Sequence, residues 1–223
     1  MSKKALIVQG GWDGHEPKKV AVVFKKILEA ESFSVEISDT LDVLEDEDKV
    51  NSLDLIIPQW TMGKISDDQL EPVLNAVENG TGIAGIHGGM CDAFRESTRW
   101  QFMTGGQWVA HPGGDDTEHV INIKKSSSSP IVEGLDDFTV SSEQYYMHVD
   151  PAVDVLATTP FPVADGPHSA NGKVKCPVIW TKYWGQGRVF YCSLGHHADI
   201  VEMEEVTTIM RRGFLWAACE KVK

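Results

Sequence analysis

Apolar residues in this chain fall into short continuous runs that alternate with stretches of helical spacing. Ala5-Leu6-Ile7-Val8 is a continuous run closed by Gln9-Gly10-Gly11, the pattern of a strand buried on both faces. Pro17 then suits the first turn of a helix, and Val20, Val23, Phe24, Ile27 and Leu28 return every three or four residues as one apolar face. Phe33 to Ile37 alternates like a second strand, and Leu53 to Pro58 reads as a third. Ser66-Asp67-Asp68-Gln69 is a capping box ahead of Leu70, Val73, Leu74 and Val77, and Gly80 stops that helix. Ile83-Ala84-Gly85-Ile86 supplies a fourth strand. This rhythm predicts an α/β fold: a doubly wound, mostly parallel sheet with helices on both faces, of the flavodoxin-like kind. In such sheets ligands sit beyond the carboxyl ends of the strands.

The second half is less regular. A helix is expected from about Cys91 to Met103, then a loop from Val109 to Asp116, and a strand over His119 to Ile123. Phe138 to His148 carries a carboxylate, two phenols and a histidine, and Phe161 to Lys175 reads as an exposed loop rich in Pro, Gly, Asn and Ser. Pro177–Trp180 and Gly187–Leu194 pair around the turn Trp184-Gly185-Gln186-Gly187. A last helix runs from about Glu202 to Cys219. With no internal repeat and no linker, residues 1–223 read as one domain.

The chain turns on Gly85-Ile86-His87-Gly88-Gly89. A G-x-H-x-G strand-to-helix step has the shape of a nucleophile elbow, whose glycines relieve crowding at a tight turn. Its tip is a histidine, not Ser or Cys. An imidazole there suits metal ligation or proton transfer better than covalent acyl chemistry.

Composition narrows the partners. A formal charge of -13 and a pI near 5.0 argue against nucleic acid or an anionic membrane. Cys91, Cys176, Cys192 and Cys219 show no paired spacing and read as reduced thiols. The apolar run near the N-terminus is too short for a leader or a span, so a cytoplasmic location is expected.

His15, His87, His111 and His196 each follow an apolar run or open a Gly/Pro-rich loop, and Glu143 lies in a fifth polar segment. If the loops converge on one rim, these residues have the composition of a divalent metal site for Zn, Mn, Fe or Ni. His119 and His168 read as exposed. His148 stands two residues from Asp150, positioned either to relay protons or to face solvent. Tyr145 and Tyr146 alternate, so at most one faces a cleft. Trp12, Trp60, Trp108 and Trp184, all near loops, are placed to stack on a sugar or to pack, and Arg188 to clamp a substrate or to close the core.

Gly85-Ile86-His87-Gly88-Gly89, Ala110-His111-Pro112, Ser142-Glu143-Gln144-Tyr145-Tyr146, the stretch Trp180 to Tyr191 and Ser193-Leu194-Gly195-His196, taken in order, resemble the ThuA-like (trehalose utilisation) family. The resemblance implies a class I glutamine amidotransferase-like fold and a place in carbohydrate metabolism beside sugar oxidoreductases. It also implies that the glutaminase cysteine is missing, since His87 stands at the elbow and Cys91 four residues on. Three functions then compete. The first is a metal-dependent lyase or hydrolase on a sugar or 3-keto-glycoside made by a partner sugar dehydrogenase. There His15, His87, His111 and His196 serve as ligands and bases, Glu143 as ligand or base, and Tyr145 or His148 as acid. A keto-sugar isomerase or epimerase, and a non-catalytic sugar-binding module, are the others. Self-association into a homo-oligomer is left open.

Overall fold

The computed structural model describes residues 2–219. In chain order the elements are β1 (Lys4–Gly11), α1 (Pro17–Ala30), β2 (Ser34–Ser38), α2 (Glu47–Asn51), β3 (Leu55–Thr61), α3 (Asp67–Glu78) and β4 (Gly82–Ile86). There follow α4 (Gly88–Cys91), α5 (Thr98–Thr104), β5 (Gly106–Ala110), β6 (Glu118–Ile123), β7 (Phe138–Ser141) and β8 (Tyr146–Val149). The chain closes with β9 (Asp154–Phe161), β10 (Val174–Trp184), β11 (Gly187–Cys192), α6 (Ala198–Val201) and α7 (Glu204–Ala217).

One nine-stranded sheet runs in the order β2-β1-β3-β4-β11-β10-β9-β6-β7. Pairing is parallel from β2 to β11 and antiparallel from β11 outward, while β5 and β8 form a separate antiparallel ribbon. The expected α/β architecture is therefore present, with its parallel half carrying the alternating helices.

Strand periodicity splits the core in two. Ala5, Ile7, Leu55, Ile57, Ala84 and Ile86 pack with Phe24 of α1 and Phe214 of α7 on one face. Leu6, Val8, Ile56 and Ile83 pack with Leu70, Val73 and Val77 of α3 on the other. Both faces of each central strand are covered, which is why these strands read as continuous apolar runs. The capping box forms as expected: Ser66 Oγ accepts from Gln69 N–H, and Gln69 Oε1 accepts from Ser66 N–H.

The sequence and the fold differ at several points. The single helix expected from Cys91 to Met103 is two short ones, broken where Phe94 takes a left-handed φ of 49° and Ser97 caps α5. β5 and β9 lie in stretches with no clean alternation. His119, expected to be exposed, is buried with Nδ1 2.7 Å from the Thr117 carbonyl.

Candidate metal centre

Three parallel strands deliver three histidines to one rim. β1 runs into a 3-10 turn over Asp13–His15, β4 ends one residue before His87, and the segment after β11 reaches His196. The elbow at His87 is real. Its backbone sits at φ 50°, ψ -134°, a conformation that costs a non-glycine residue about 1–3 kcal/mol and persists only where its surroundings enforce it. Here His87 N–H donates to the Cys192 carbonyl at 2.7 Å, and the His87 carbonyl accepts from Tyr191 O–H at 2.9 Å. A Cβ on Gly88 would lie 2.5 Å from the His15 ring and 2.9 Å from Thr61 Oγ1. Only glycine lets these two histidines approach.

The fourth group comes from the antiparallel half. Glu143, on the loop between β7 and β8, is 7% exposed and reaches into the middle of the histidines. Its Oε2 lies 3.2 Å from His87 Nε2, 3.2 Å from His196 Nδ1 and 3.9 Å from His15 Nε2. Its Oε1 lies 3.1 Å from His111 Nδ1. Donor atoms of His15, His87, His196 and Glu143 all fall within 4.8 Å of one another. His111 is outside that compact set, against the other carboxylate oxygen and half-exposed at the mouth.

Hydrogen bonds fix one tautomer. His87 Nδ1 is 2.8 Å from the Ser193 carbonyl, which can only accept, so Nδ1 bears the ring proton. In the neutral ring Nε2 is then a bare lone pair facing a carboxylate oxygen. Burial, working against the Glu143 contact, pulls the His87 pKa down to about 4 and also lowers that of His15. Burial would raise Glu143, but His15, His196 and His87 together hold it well below the usual carboxylate range. His196 goes the other way: burial opposes it, yet Glu143 and Asp115 hold it above the ordinary value. The Nδ1 atoms of His111 and His196 are buried without a hydrogen-bond partner despite their closeness to Glu143. Converging lone pairs around one carboxylate are what a cation would satisfy. Donors about 2.0–2.1 Å from a tetrahedral ion stand roughly 3.3 Å apart, near the two 3.2 Å separations seen here.

Aromatic rings wall the cluster. Tyr145 stacks on His87 with centroids 3.8 Å apart, and burial, with the nearby Asp92 and Glu143 charges, keeps its phenol protonated. Tyr146 packs on Phe161 instead, so one tyrosine of the pair faces the site. Trp12, 45% exposed, sets its edge against His15 at 4.7 Å. Trp108 stands across the cluster at 5.4 Å from His111, with the Arg95 guanidinium 4.6 Å over its face. Arg95 is itself gripped by buried Asp92 through two N–H groups.

Not every expected residue arrives. Trp60 lies against Gly10 and Gly63, half-buried and packed against the core beside the loops. His148 points outward from the β5/β8 ribbon, because buried Met147 takes the inward register. Arg188 sits at the amino end of β11, the rim opposite the histidines, donating to the Trp216 carbonyl and covering the Trp216 ring. A strand's first residues cannot reach the rim where its last ones end. Of the other loop tryptophans, Trp108 reaches the cluster while Trp184 packs on Phe102; Arg95 carries no signal in the sequence as a site residue.

With this geometry in place, likeness to known proteins acquires a physical meaning. The family model for ThuA, described as trehalose utilisation, matches residues 4–217. The chain belongs to the ThuA family. A ThuA-like protein from Parabacteroides merdae superposes with a TM-score of 0.77 at 20% identity, covering 100% of this chain and 92% of that one. One from Bacteroides uniformis gives 0.76 at 18%, covering 96% and 91%. A β-galactosidase from Bacillus circulans sp. alkalophilus shares the fold over 98% of this chain but 30% of its own, with a TM-score of 0.57 and 13% identity. No curated protein matches significantly. Membership ties this ThuA chain to carbohydrate utilisation. Cys91, fully buried in α4 with its thiol pushed well up by burial, has none of the exposure a glutaminase nucleophile needs. No helix among the described residues is long and apolar enough to cross a membrane.

Proposed function

We propose that this ThuA chain is a metal-dependent enzyme acting on a keto-glycoside, which it opens by elimination at the glycosidic bond. One observation carries the reading: His87 Nε2, left unprotonated because Nδ1–H donates to the Ser193 carbonyl, faces Glu143 Oε2 at 3.2 Å inside a ring of further imidazoles. His15, His87, His196 and Glu143 are the residues that would hold the ion. A Zn, Mn, Fe or Ni cation held there supplies Lewis acidity for the ketone oxygen.

The protein's own groups divide the remaining work. His111 sits half-exposed on the free oxygen of Glu143 and is placed to take the proton from the carbon beside the ketone. The electrons of that C–H bond become the new C=C bond as the glycosidic C–O bond breaks. The departing oxygen then needs a proton, and Tyr145, whose phenol stays protonated, is the donor assigned. The products are an alcohol and an unsaturated keto-sugar, which water can hydrate. Trp12 gives the ring an apolar face to lie against. A sugar dehydrogenase would make the ketone.

Chelator-stripped and metal-reloaded protein is to be compared on a 3-keto-disaccharide in deuterated water by NMR. Release of the second sugar only in the reloaded protein is the expected result. Solvent deuterium entering the ring with no sugar released would mean isomerisation instead. No bound metal and no turnover across several keto-sugars would remove the reading.

A further inference from the structure

His196 presents its two ring nitrogens to two different carboxylates. Nδ1 faces Glu143 in the buried centre at 3.2 Å, while Nε2 faces Asp115 Oδ2 at 3.7 Å. That second contact is too long for a hydrogen bond. The same Asp115 oxygen lies 3.3 Å from His197 Nε2, so three donor atoms from two loops surround one point, all within 4.8 Å of each other. The 3.3 Å contact is a hydrogen bond and the 3.7 Å one is not, and both separations also match the edges of a coordination shell.

We infer that Asp115, His196 and His197 form a second divalent-cation site, outside the buried centre and sharing the His196 ring with it. The inference rests on the metal reading of that centre.

Four features favour a cation here. Asp115 and His197 are half-exposed, with side chains 46% and 40% accessible, while His196 is buried at 6%; a partly hydrated ion can therefore be held without being stripped of all its water. Beside His197 opens a cavity of about 470 Å³ lined by Glu16, Asp199 and Glu202 with one cation, Lys19. This excess of carboxylates favours a positive ion entering from solvent. Asp115 belongs to the loop that also carries His111 to Glu143, with Gly113 and Gly114 both at positive φ. One loop thus closes over both sites. Finally, His196 aims one ring nitrogen at each site, so an ion in each would be joined through that ring.

The site differs in kind from the inner one. Three ligands, two of them half in water, predict weaker and faster-exchanging binding than four buried ligands give.

Metal counting separates the possibilities. Full-length, chelator-stripped protein is titrated with Co(II) by equilibrium dialysis, and with Cu(II) followed by EPR. Wild type is expected to take up two ions per chain, the second at least about tenfold more weakly. The Cu(II) signal should grow to one equivalent and then fall as two ions couple through the ring. Asp115→Asn and His197→Ala, both at half-exposed positions, should each return the count to one and abolish the coupling. One ion per chain, with affinity unmoved by either substitution, overturns this inference and leaves the inner site standing. Two ions retained in the double variant overturn it by placing the second ion elsewhere. No ion in wild type removes the inner-site reading and this one together.

Discussion

The two halves of the sheet contribute to the centre by different physical means. The parallel half, β2-β1-β3-β4-β11, delivers His15, His87 and His196 as the residues that follow strand ends. Their positions are set by the register of buried strands and by glycines that admit close approach. The antiparallel half and the β5/β8 ribbon deliver Glu143, Tyr145, His111 and Asp115 from loops. The first group is rigid and mostly neutral, with burial lowering His15 and His87; the second supplies both carboxylates. A site assembled this way has a floor of imidazoles set by strand register and a wall of loops that brings negative charge to it.

The sharpest way to break that division is Glu143→Gln, which keeps the shape and removes the charge that four imidazoles face. Affinity for Co(II) should fall by at least about 100-fold, and turnover of a keto-glycoside should drop with it. Retained affinity would show that the floor holds an ion unaided. Next in size is the antiparallel half's own buried pair. Lys182, whose ammonium also reaches the Phe102 carbonyl, meets Asp150 Oδ2 at 2.6 Å with side chains 6% and 16% exposed. Asp150→Asn leaves that ammonium unpaired and should cost about 2–4 kcal/mol in chemical denaturation. The sign with pH follows from Lys182 holding the Asp150 carboxyl below its usual 3.8. A depressed carboxylate stabilises the fold above its unfolded pKa and loses that contribution as pH falls through the folded one. The gap between wild type and Asp150→Asn should therefore be full near neutrality and close only in strongly acid solution. A constant gap down to the lowest pH would mean that the charge is irrelevant.

Legibility followed the same division. Continuous runs such as Ala5–Val8 and the helical stripe from Val20 to Leu28 betray their burial on both sides, so the parallel half and the three histidines at its rim could be placed from the chain alone. The elbow was equally plain, because two glycines after a histidine have few other uses. β5 and β9 escaped, since a short ribbon and a bulged strand show no steady period; β9 and β10 slip register near Pro177 and Ile179. Arg188 and His148 show what residue type cannot give. Arg188 follows the turn at the start of its strand, so its place alone set it on the far rim, whereas a one-residue shift in a strand sends a side chain such as His148 to the other face. Arg95 became a site residue only through buried Asp92, which grips its guanidinium over the Trp108 ring.

Gly88→Ala tests the rigid half directly. Its new Cβ would press on the His15 ring at 2.5 Å and on Thr61 Oγ1 at 2.9 Å, where His15 Nδ1 and that hydroxyl are bonded at 2.8 Å. Overpacking of this kind costs about 1–3 kcal/mol. Thermal unfolding should come several degrees earlier, and Co(II) affinity should fall because His15 is displaced. Unchanged metal binding in a destabilised Gly88→Ala would mean that His15 is no ligand.

The smallest expected effects come from the two residues that the fold carries away from the centre. Arg188 bonds the Trp216 carbonyl at 3.0 Å and lies 5.2 Å over the Trp216 ring, so Arg188→Ala should cost about 1 kcal/mol of stability through that lost contact. His148 is exposed on the ribbon, and His148→Ala should stay within about 0.5 kcal/mol of wild type. Neither substitution should move kcat, KM or Co(II) affinity, since neither residue shares a rim or a face with Glu143. A tenfold loss of kcat in His148→Ala, with metal affinity intact, would overturn this, because it would require the ribbon to turn its outward face toward the substrate. Such a movement would carry β5 and β8 with it and redraw the wall of loops. The two substitutions thus test whether the antiparallel side works from its loops alone or as a body.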